Sequence, residues 1–368
     1  MSRPDLLVVG AGLIGTSVGL AATAAGWDVV ISDVDPDRVS VAAAMGAGRP
    51  VTAAAGTGSG AALALVAVPP ALVGQTCVQL LTGQPDLIVT HACSVQAAPA
   101  AEVEAQLTSF VQRFVGGHPI AGREVSGPAA ASADLFVDRP WAICPLEGSS
   151  PEAVEAVTAL AGACRADPVV LRPREHDELL ARLSHAPQIV ASALAATLAA
   201  MTQDETRLAG TGLRDTTRLA DSDPTMWGQI AAANARELAA AVRAVAEPML
   251  ALADRLDSAD GPAADAEVRA LLVRGRAGRA MLPGKHGRRA VPLAVVRCVV
   301  PDEPGALARL FADAAADEVN IEDIRVDHSP GQPVGFAELF VAPHDRGRLV
   351  AGLRARDWTV TEGAEEAL

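Results

Sequence analysis

At 368 residues the chain is longer than one ordinary domain, and length alone calls for two or three units that each bury a core. Half of the residues are hydrophobic, with few aromatics and no Tyr, which excludes extensive disorder and suggests helix-rich packing of small side chains. Thirty basic against 44 acidic residues leave a net charge of −14, a field that repels nucleic acid and anionic membranes, so an anionic substrate must be held by specific arginines.

From Asp5 to about residue 170, short apolar runs alternate with helical stretches. DLLVVG, WDVVISD, ALALVAVPP, DLIVTHA, FVGGHP and WAICP read as strands, and such alternation predicts a parallel sheet covered by helices, a Rossmann-like α/β domain over residues 1–172. The first strand runs into Gly10-Ala11-Gly12-Leu13-Ile14-Gly15 and then a helical run from Ser17. In that context Gly10 permits a tight turn, Gly12 lets backbone approach a pyrophosphate, and Gly15 allows close helix-to-strand packing. The helix N-terminus then faces the phosphates.

The second strand ends in Asp33, about 20 residues on, where a carboxylate accepts hydrogen bonds from ribose hydroxyls and repels a 2′-phosphate. That points to NAD, while Arg38 keeps NADP open. Val68 and Pro69 close a later strand at the same sheet edge, and their turn is expected to line the cofactor. Further along, Ser94 follows a strand end and His118 sits between glycine and proline just after a strand, at the carboxyl edge where open α/β sheets bind ligands. A histidine beside a nicotinamide can take a hydroxyl proton while hydride leaves the same carbon. For Ser94 a simple helix cap is the competing reading.

From about residue 174 to 282 strand-like runs disappear, and three Ala/Leu-rich helices are predicted at roughly 175–203, 224–258 and 263–281, an all-α domain over 173–282. Asp223 caps the middle one, with Pro224 at its first position. Helices this long with apolar residues on several faces need a partner surface, and a homodimer supplies it most simply. Arg214 and Arg218 lie four apart, so on a helix they share a face and offer two cations to one dianion; Asp215 is placed to orient either.

Four segments now carry a specific likeness: the glycine motif, HACSVQ (91–96), FVGGHPIAGREVSGP (114–128), and LSHAPQ (183–188) with GLRDTTRLADSDP (212–224). Together they resemble the prephenate/arogenate dehydrogenase family of tyrosine biosynthesis, over nearly the whole chain up to residue 282. The resemblance implies NAD-dependent oxidative decarboxylation, with His118 and Ser94 on the substrate's ring hydroxyl, Arg218 on its ring carboxylate and Arg214 near the same pocket. It also places Ser184, His185 and Gln188 at the substrate. Gln188 stands where the family has a second histidine, which leaves prephenate, arogenate and an amino-substituted prephenate open. His91 for a usual aspartate and Gln96 for a usual lysine fall in the nicotinamide-side loop and are expected to alter cofactor affinity.

Residues 283–292, rich in proline, glycine and charge, read as a linker. After it, residues 293–366 give the order βαββαβ with DEPGAL following the first strand, which resembles an ACT domain, the ferredoxin-like module of many amino-acid biosynthetic enzymes. Gly305, Asn320, Ile321 and Asp323 then fall at an effector site, tyrosine being the natural ligand; a dimerisation module without ligand is the alternative.

The five cysteines (Cys77, Cys93, Cys144, Cys164, Cys298) show no CxxC pair and no neighbouring histidine at ligand spacing, so no metal is expected and the thiols suit a reducing cytoplasm. The N-terminus runs straight into a strand instead of a signal-peptide core, and no uninterrupted apolar run of membrane-spanning length is evident. A non-catalytic sensor of dinucleotide and amino acid would not need His118 and Ser94. A 3-hydroxyacid dehydrogenase would be expected to place a lysine in 174–190, which contains none.

Overall fold

The computed structural model describes residues 5–52, 60–107, 109–122, 125–258, 261–282, 292–328, 334–362 and 366–367. The chain divides into two compact units, 1–258 and 259–368.

In the first unit, strands β1 (Leu6–Val9), β2 (Val29–Ser32), β3 (Arg49–Pro50), β4 (Leu63–Val66) and β5 (Ile88–His91) form a sheet of order β3-β2-β1-β4-β5. All its pairings are parallel. Because both faces are covered, β2 and β4 are buried at every residue, the continuous apolar run that parallel strands require. Leu6 and Val8 face one core with helix α1 (Leu13–Ala24), while Leu7 faces the other with Val73, Leu80 and Leu81 of helix α3 (Val73–Gly83), which follows helix α2 (Pro36–Ala44) in the chain. The register pairs Val9 with Ser32 and Val66, and Val66 with His91, so four strand ends open on one edge.

The remaining strands depart from the expected single parallel sheet. β6 (Val115–Pro119) and β7 (Pro140–Pro145) pair antiparallel, and with β8 (Asp167–Val170) they make a separate three-stranded sheet joined to β5 by one bridge, Val89 to Phe114. No crossover α-helix separates β6 from β7 in the element order, so the chain returns antiparallel; helix α5 (Pro151–Ala163), which follows α4 (Ala97–Gln106) in sequence, separates β7 from β8, and that pair is parallel. β8 is exposed at every residue, which is why no apolar pattern announced it.

The helix expected at 175–203 is three pieces: α6 (Pro173–Leu180), a π-turn Ala181–His185, and α7 (Ala186–Ala196), then a 3₁₀ turn. Pro187 has no N–H to give Leu183, and Ala186 N–H donates five residues back to Ala181 instead of four. By length and composition the run 173–200 would pass for a membrane span. Its buried His176, Asp177, His185 and Gln188 pack into this unit, so it acts as a structural helix. The arginine pair straddles a change of pitch, Arg214 in α8 (Thr211–Thr217) and Arg218 opening a 3₁₀ turn to Asp221. The helix expected at 224–258 breaks at Asn234 into α9 (Pro224–Ala233) and α10 (Ala235–Asp257), and Asp223 caps α9 through Thr225 and Met226 N–H as expected.

The second unit opens with α11 (Gly261–Arg279). Of the expected linker, 283–291 lie outside the described residues and Pro292 already opens β9 (Pro292–Pro301). Then follow α12 (Ala306–Ala316), β10 (Ile321–His328), β11 (Val334–Val341), α13 (Arg346–Ala355) and β12 (Val360–Glu362). The sheet order β10-β11-β9-β12 with every pairing antiparallel is the ferredoxin-like plan, and both helices feed one core with Val296, Leu310, Leu339 and Leu349.

Candidate active site

Backbone geometry builds the cofactor edge. Gly10 turns at φ +107°, and a Cβ there would stand 2.4 Å from the Ala67 carbonyl oxygen; on Gly15 a Cβ would stand 1.9 Å from the Gly10 oxygen. Gly12 is different, since a Cβ would meet nothing within 4 Å and the residue leaves open space before α1, which has no side-chain cap. An uncapped helix N-terminus with free space before it fits a pyrophosphate. Leu13 and Ile14 form the first helical turn there, both half-buried, and the Val68–Pro69 turn lies against Gly10.

Asp33 accepts the Ala11 N–H at 2.6 Å and the Asp35 N–H at 2.9 Å, one on each oxygen, which pins its carboxylate to the lip of the glycine turn. Arg38, the cation that kept NADP open, pairs with Asp35 at 3.4 Å.

Beside this edge lies a cluster of buried polar side chains. His118 Nδ1 is 2.9 Å from His176 Nε2, and His176 Nδ1 is 2.8 Å from Asp177 Oδ1. Asp177 also accepts the Gln96 N–H and the Ala97 N–H, each at 2.8 Å, and so places a carboxylate at the N-terminus of α4. Asn234 donates through Nδ2 to the Asp177 carbonyl at 2.9 Å and lies 3.2 Å from His185 Nδ1, whose ring meets Trp227 edge-on.

Four of the chain's seven histidines, His91, His118, His176 and His185, thus share one interior. Burial first, then the facing rings of His176, His185 and His91, hold His118 well below the usual histidine range. Burial lowers His91 to about 3 and His185 to about 4, in each case more strongly than neighbouring charges do. His118, His91 and His185 are therefore uncharged at neutral pH. Among the described residues no group of three or more His, Cys, Asp or Glu side chains is arranged to hold a metal ion.

Several expected roles change. Ser94 is half-buried between β5 and α4, and because Gln96 is the N-cap and Asp177 satisfies the cap N–H groups, the helix-cap reading of Ser94 does not apply. His91 and Gln96, expected to alter cofactor affinity from the nicotinamide-side loop, lie in the interior. His91 Nδ1 accepts the Cys93 N–H, and Gln96 donates to the carbonyls of Cys93 and Gly117, which ties the start of α4 to β6.

Gln188 was expected at the substrate, but its amide donates to the Leu219 carbonyl at 2.7 Å and accepts from Ser222 at 3.3 Å. It ties α7 to the turn that bears Arg218. Ser184 is half-buried on the π-turn and His185 is buried there, while Arg214, Asp215 and Arg218 are exposed. His176, Asp177, Asn234 and Trp227 escaped the sequence reading. The available signal was the His-Asp pair in PREHDELL, polar residues on the same helical face as Leu180 and Ala181, which are both buried.

Residues 18–170 match the prephenate dehydrogenase nucleotide-binding domain and residues 172–267 the prephenate dehydrogenase dimerization domain. Over 362 residues the chain is 33% identical to the probable prephenate dehydrogenase NovF of Streptomyces niveus, covering 96% of this chain and 98% of that protein. The chain belongs to the prephenate dehydrogenase family. It is an NAD-dependent dehydrogenase, and the open cradle at Gly12 beside the pinned Asp33 is the local fit for that cofactor.

It is also 28% identical to the prephenate dehydrogenase of Bacillus subtilis, with 96% of each chain covered. The crystal structure of the Aquifex aeolicus prephenate dehydrogenase in complex with hydroxyphenyl propionate and NAD+ superposes with a TM-score of 0.66 at 25% identity, covering 75% of this chain and 99% of that one. The Synechocystis arogenate dehydrogenase has the same fold, with a TM-score of 0.63 at 24% identity over 75% of this chain and 98% of that one.

Proposed function

We propose that this member of the family oxidatively decarboxylates prephenate to 4-hydroxyphenylpyruvate, in the cytoplasm and as a homodimer. The observation that carries the reading is His118, an uncharged histidine on β6 in the unit whose parallel sheet carries a dinucleotide cradle. NAD, when bound, supplies the acceptor for the hydride that leaves the hydroxyl-bearing ring carbon. His118 takes the hydroxyl proton, Ser94 hydrogen-bonds the same oxygen, the ring carboxylate departs as carbon dioxide with its bonding pair passing into the ring, and His118 returns the proton to the phenolate oxygen. Aromatisation makes the step effectively irreversible, so the protein's task is positioning. Arg218 and Arg214 hold carboxylates of the substrate, with Ser184 and His185 lining its other end.

A second reading is arogenate or an amino-substituted prephenate, since a neutral Gln188 stands where the family has a second histidine. One assay, following NADH formation and carbon dioxide release with prephenate and with arogenate against NAD and NADP, separates the readings. Absence of turnover with both substrates would sink the assignment.

The homodimer rests on α10, which buries only Leu238 and Ala241 in its own unit and exposes Val245, Met249, Leu250 and Leu256. The five free cysteines, all buried, fit a reducing compartment. For the second unit we propose an ACT-like effector site for an amino acid, tyrosine being the first ligand to test. Gly305 turns at φ +87° immediately before α12, which has no side-chain cap, and Asn320 at the start of β10 is bonded to Glu322 at 2.6 Å. Calorimetry with tyrosine, with Gly305→Val as control, tests it: the ligand should bind the wild type and not the variant.

A further inference from the structure

We infer that Asp177, acting through His176, fixes which ring nitrogen of His118 bears the proton and at the same time sets His118 in register with the turn that bears Ser94. Both are positioning residues, and the inference rests on the proposed function only for the identity of the molecule that gives His118 its proton.

Two contacts join Asp177, His176 and His118, and they order the ring protons. A carboxylate only accepts, and Asp177 receives two backbone N–H groups, from Gln96 and Ala97, so the third contact at 2.8 Å needs the proton on His176 Nδ1. A neutral imidazole protonated at Nδ1 has its lone pair on Nε2. The 2.9 Å contact between His176 Nε2 and His118 Nδ1 then needs its one hydrogen on His118. His118 Nε2 is left bare, and it is the only atom of that ring able to act as a base. With a single ring proton on His176, the reversed tautomer would require Asp177 to donate.

Burial keeps this order strict. His176 has no solvent exposure and Asp177 2%, so water does not compete for either contact. When His118 takes a proton at Nε2 it keeps its hydrogen bond to His176, and the Asp177 carboxylate lies at the far end of the chain to favour the new cation. His91 and His185, the other titratable rings near His118, are uncharged at neutral pH, which makes the carboxylate the favourable member of the surroundings.

The same carboxylate joins three elements. It lies on α6, it holds the first N–H groups of α4 just after Ser94, and through His176 it reaches His118 on β6. Asn234 fixes the Asp177 carbonyl from the break between α9 and α10. A shift of Asp177 therefore moves the Ser94 turn and the His118 ring together.

The test is side-chain nitrogen NMR of the full chain, labelled with ¹⁵N-histidine and saturated with NAD, beside steady-state kinetics. Wild type should show His118 and His176 both as Nδ1–H tautomers. In Asp177→Asn the amide can donate to His176 Nδ1, reversing both rings to Nε2–H, and kcat should fall by up to about ten-thousandfold, as an aspartate-to-asparagine change does where it imposes the wrong tautomer on a catalytic histidine. KM for NAD and for substrate should change less than about threefold, because neither His176 nor Asp177 is offered as a ligand of either.

A wild-type His118 found as Nε2–H would overturn the inference without any variant, even if Asp177→Asn failed to fold. So would an Asp177→Asn protein that loses thermal stability but keeps both tautomers. The NMR readout needs no turnover. An Nδ1–H His118 in a protein inactive toward prephenate and arogenate would sink the substrate reading and leave the relay standing.

Discussion

The glycine turn and the histidine cluster lie at the same end of the first unit, yet they are built on opposite plans. The turn is local: Gly10, Gly12 and Gly15 span six residues, and the one distant partner, Asp33, lies 22 positions from the Ala11 N–H that it accepts. In the cluster His118 meets His176 across 58 positions and Gln96 meets Asp177 across 81, so no stretch of sequence contains it. Backbone shape makes the first, and its residues act by what they lack. Desolvation and hydrogen-bond order make the second, and its residues act by their protonation state.

The contrast can be broken or sharpened by substitution. The largest effect is expected from Gly15→Ala, whose Cβ would sit 1.9 Å from the Gly10 oxygen in rigid backbone; α1 must move, and both the melting temperature and NAD binding should collapse. Calorimetric scanning with and without NAD reads this. His118→Asn should lower kcat by about a hundredfold or more while leaving the NAD dissociation constant unchanged, since it removes a base and no cofactor contact. A comparable loss of NAD affinity would merge the two regions.

Arg218→Ala should raise the substrate KM by about tenfold to a hundredfold, the range for losing a charged hydrogen bond, with stability untouched because the side chain is exposed. Gly12→Ala is the complement of Gly15→Ala. Its Cβ meets no protein atom, so the fold should be as stable as wild type and only NAD affinity should fall, by about tenfold, in a titration of the free enzyme.

The smallest effect concerns pH. Burial depresses His185 to about 4 and His91 to about 3, below the ordinary value of 6.5, so between those limits the unfolded chain binds more protons than the folded one. Stability is full above pH 6.5 and is lost as pH falls toward 4, with His91 extending the loss to about 3. Urea midpoints between pH 7 and 4 should drop in wild type and drop less in His185→Gln. An equal drop in both would show that His185 is not responsible.

Legibility followed the same division. The helix starts at Gly12 and at Asp223-Pro224 could be read because caps and glycine turns act within a few residues. The π-turn at 181–185 was not read, although Pro187 supplied its cause, because a helical period is blind to one extra residue in a turn. β8 was missed because exposed residues carry no alternation, and β6 was paired wrongly because pairing direction depends on whether a helix intervenes. Gln188 was named as a substrate residue from its place in a motif, and the hydrogen bonds to Leu219 and Ser222 that occupy its amide come from turns over 30 positions away.

The sequence by itself determined the order of the folding units, the nucleotide turn with its acidic partner, and the identity of His118 as the residue to watch, all features in which near neighbours in the chain fix the backbone or the chemistry is in the residue type. Only the tertiary structure decided that His118 lies at the end of a chain of contacts reaching Asp177, that Gln96 is bonded to β6, and that the Gln188 amide is bonded to Leu219 and Ser222. A side chain's protonation and hydrogen-bond partners depend on what surrounds it after water has been removed, and those surroundings come from α6, α4, β6 and the break at Asn234 meeting in space.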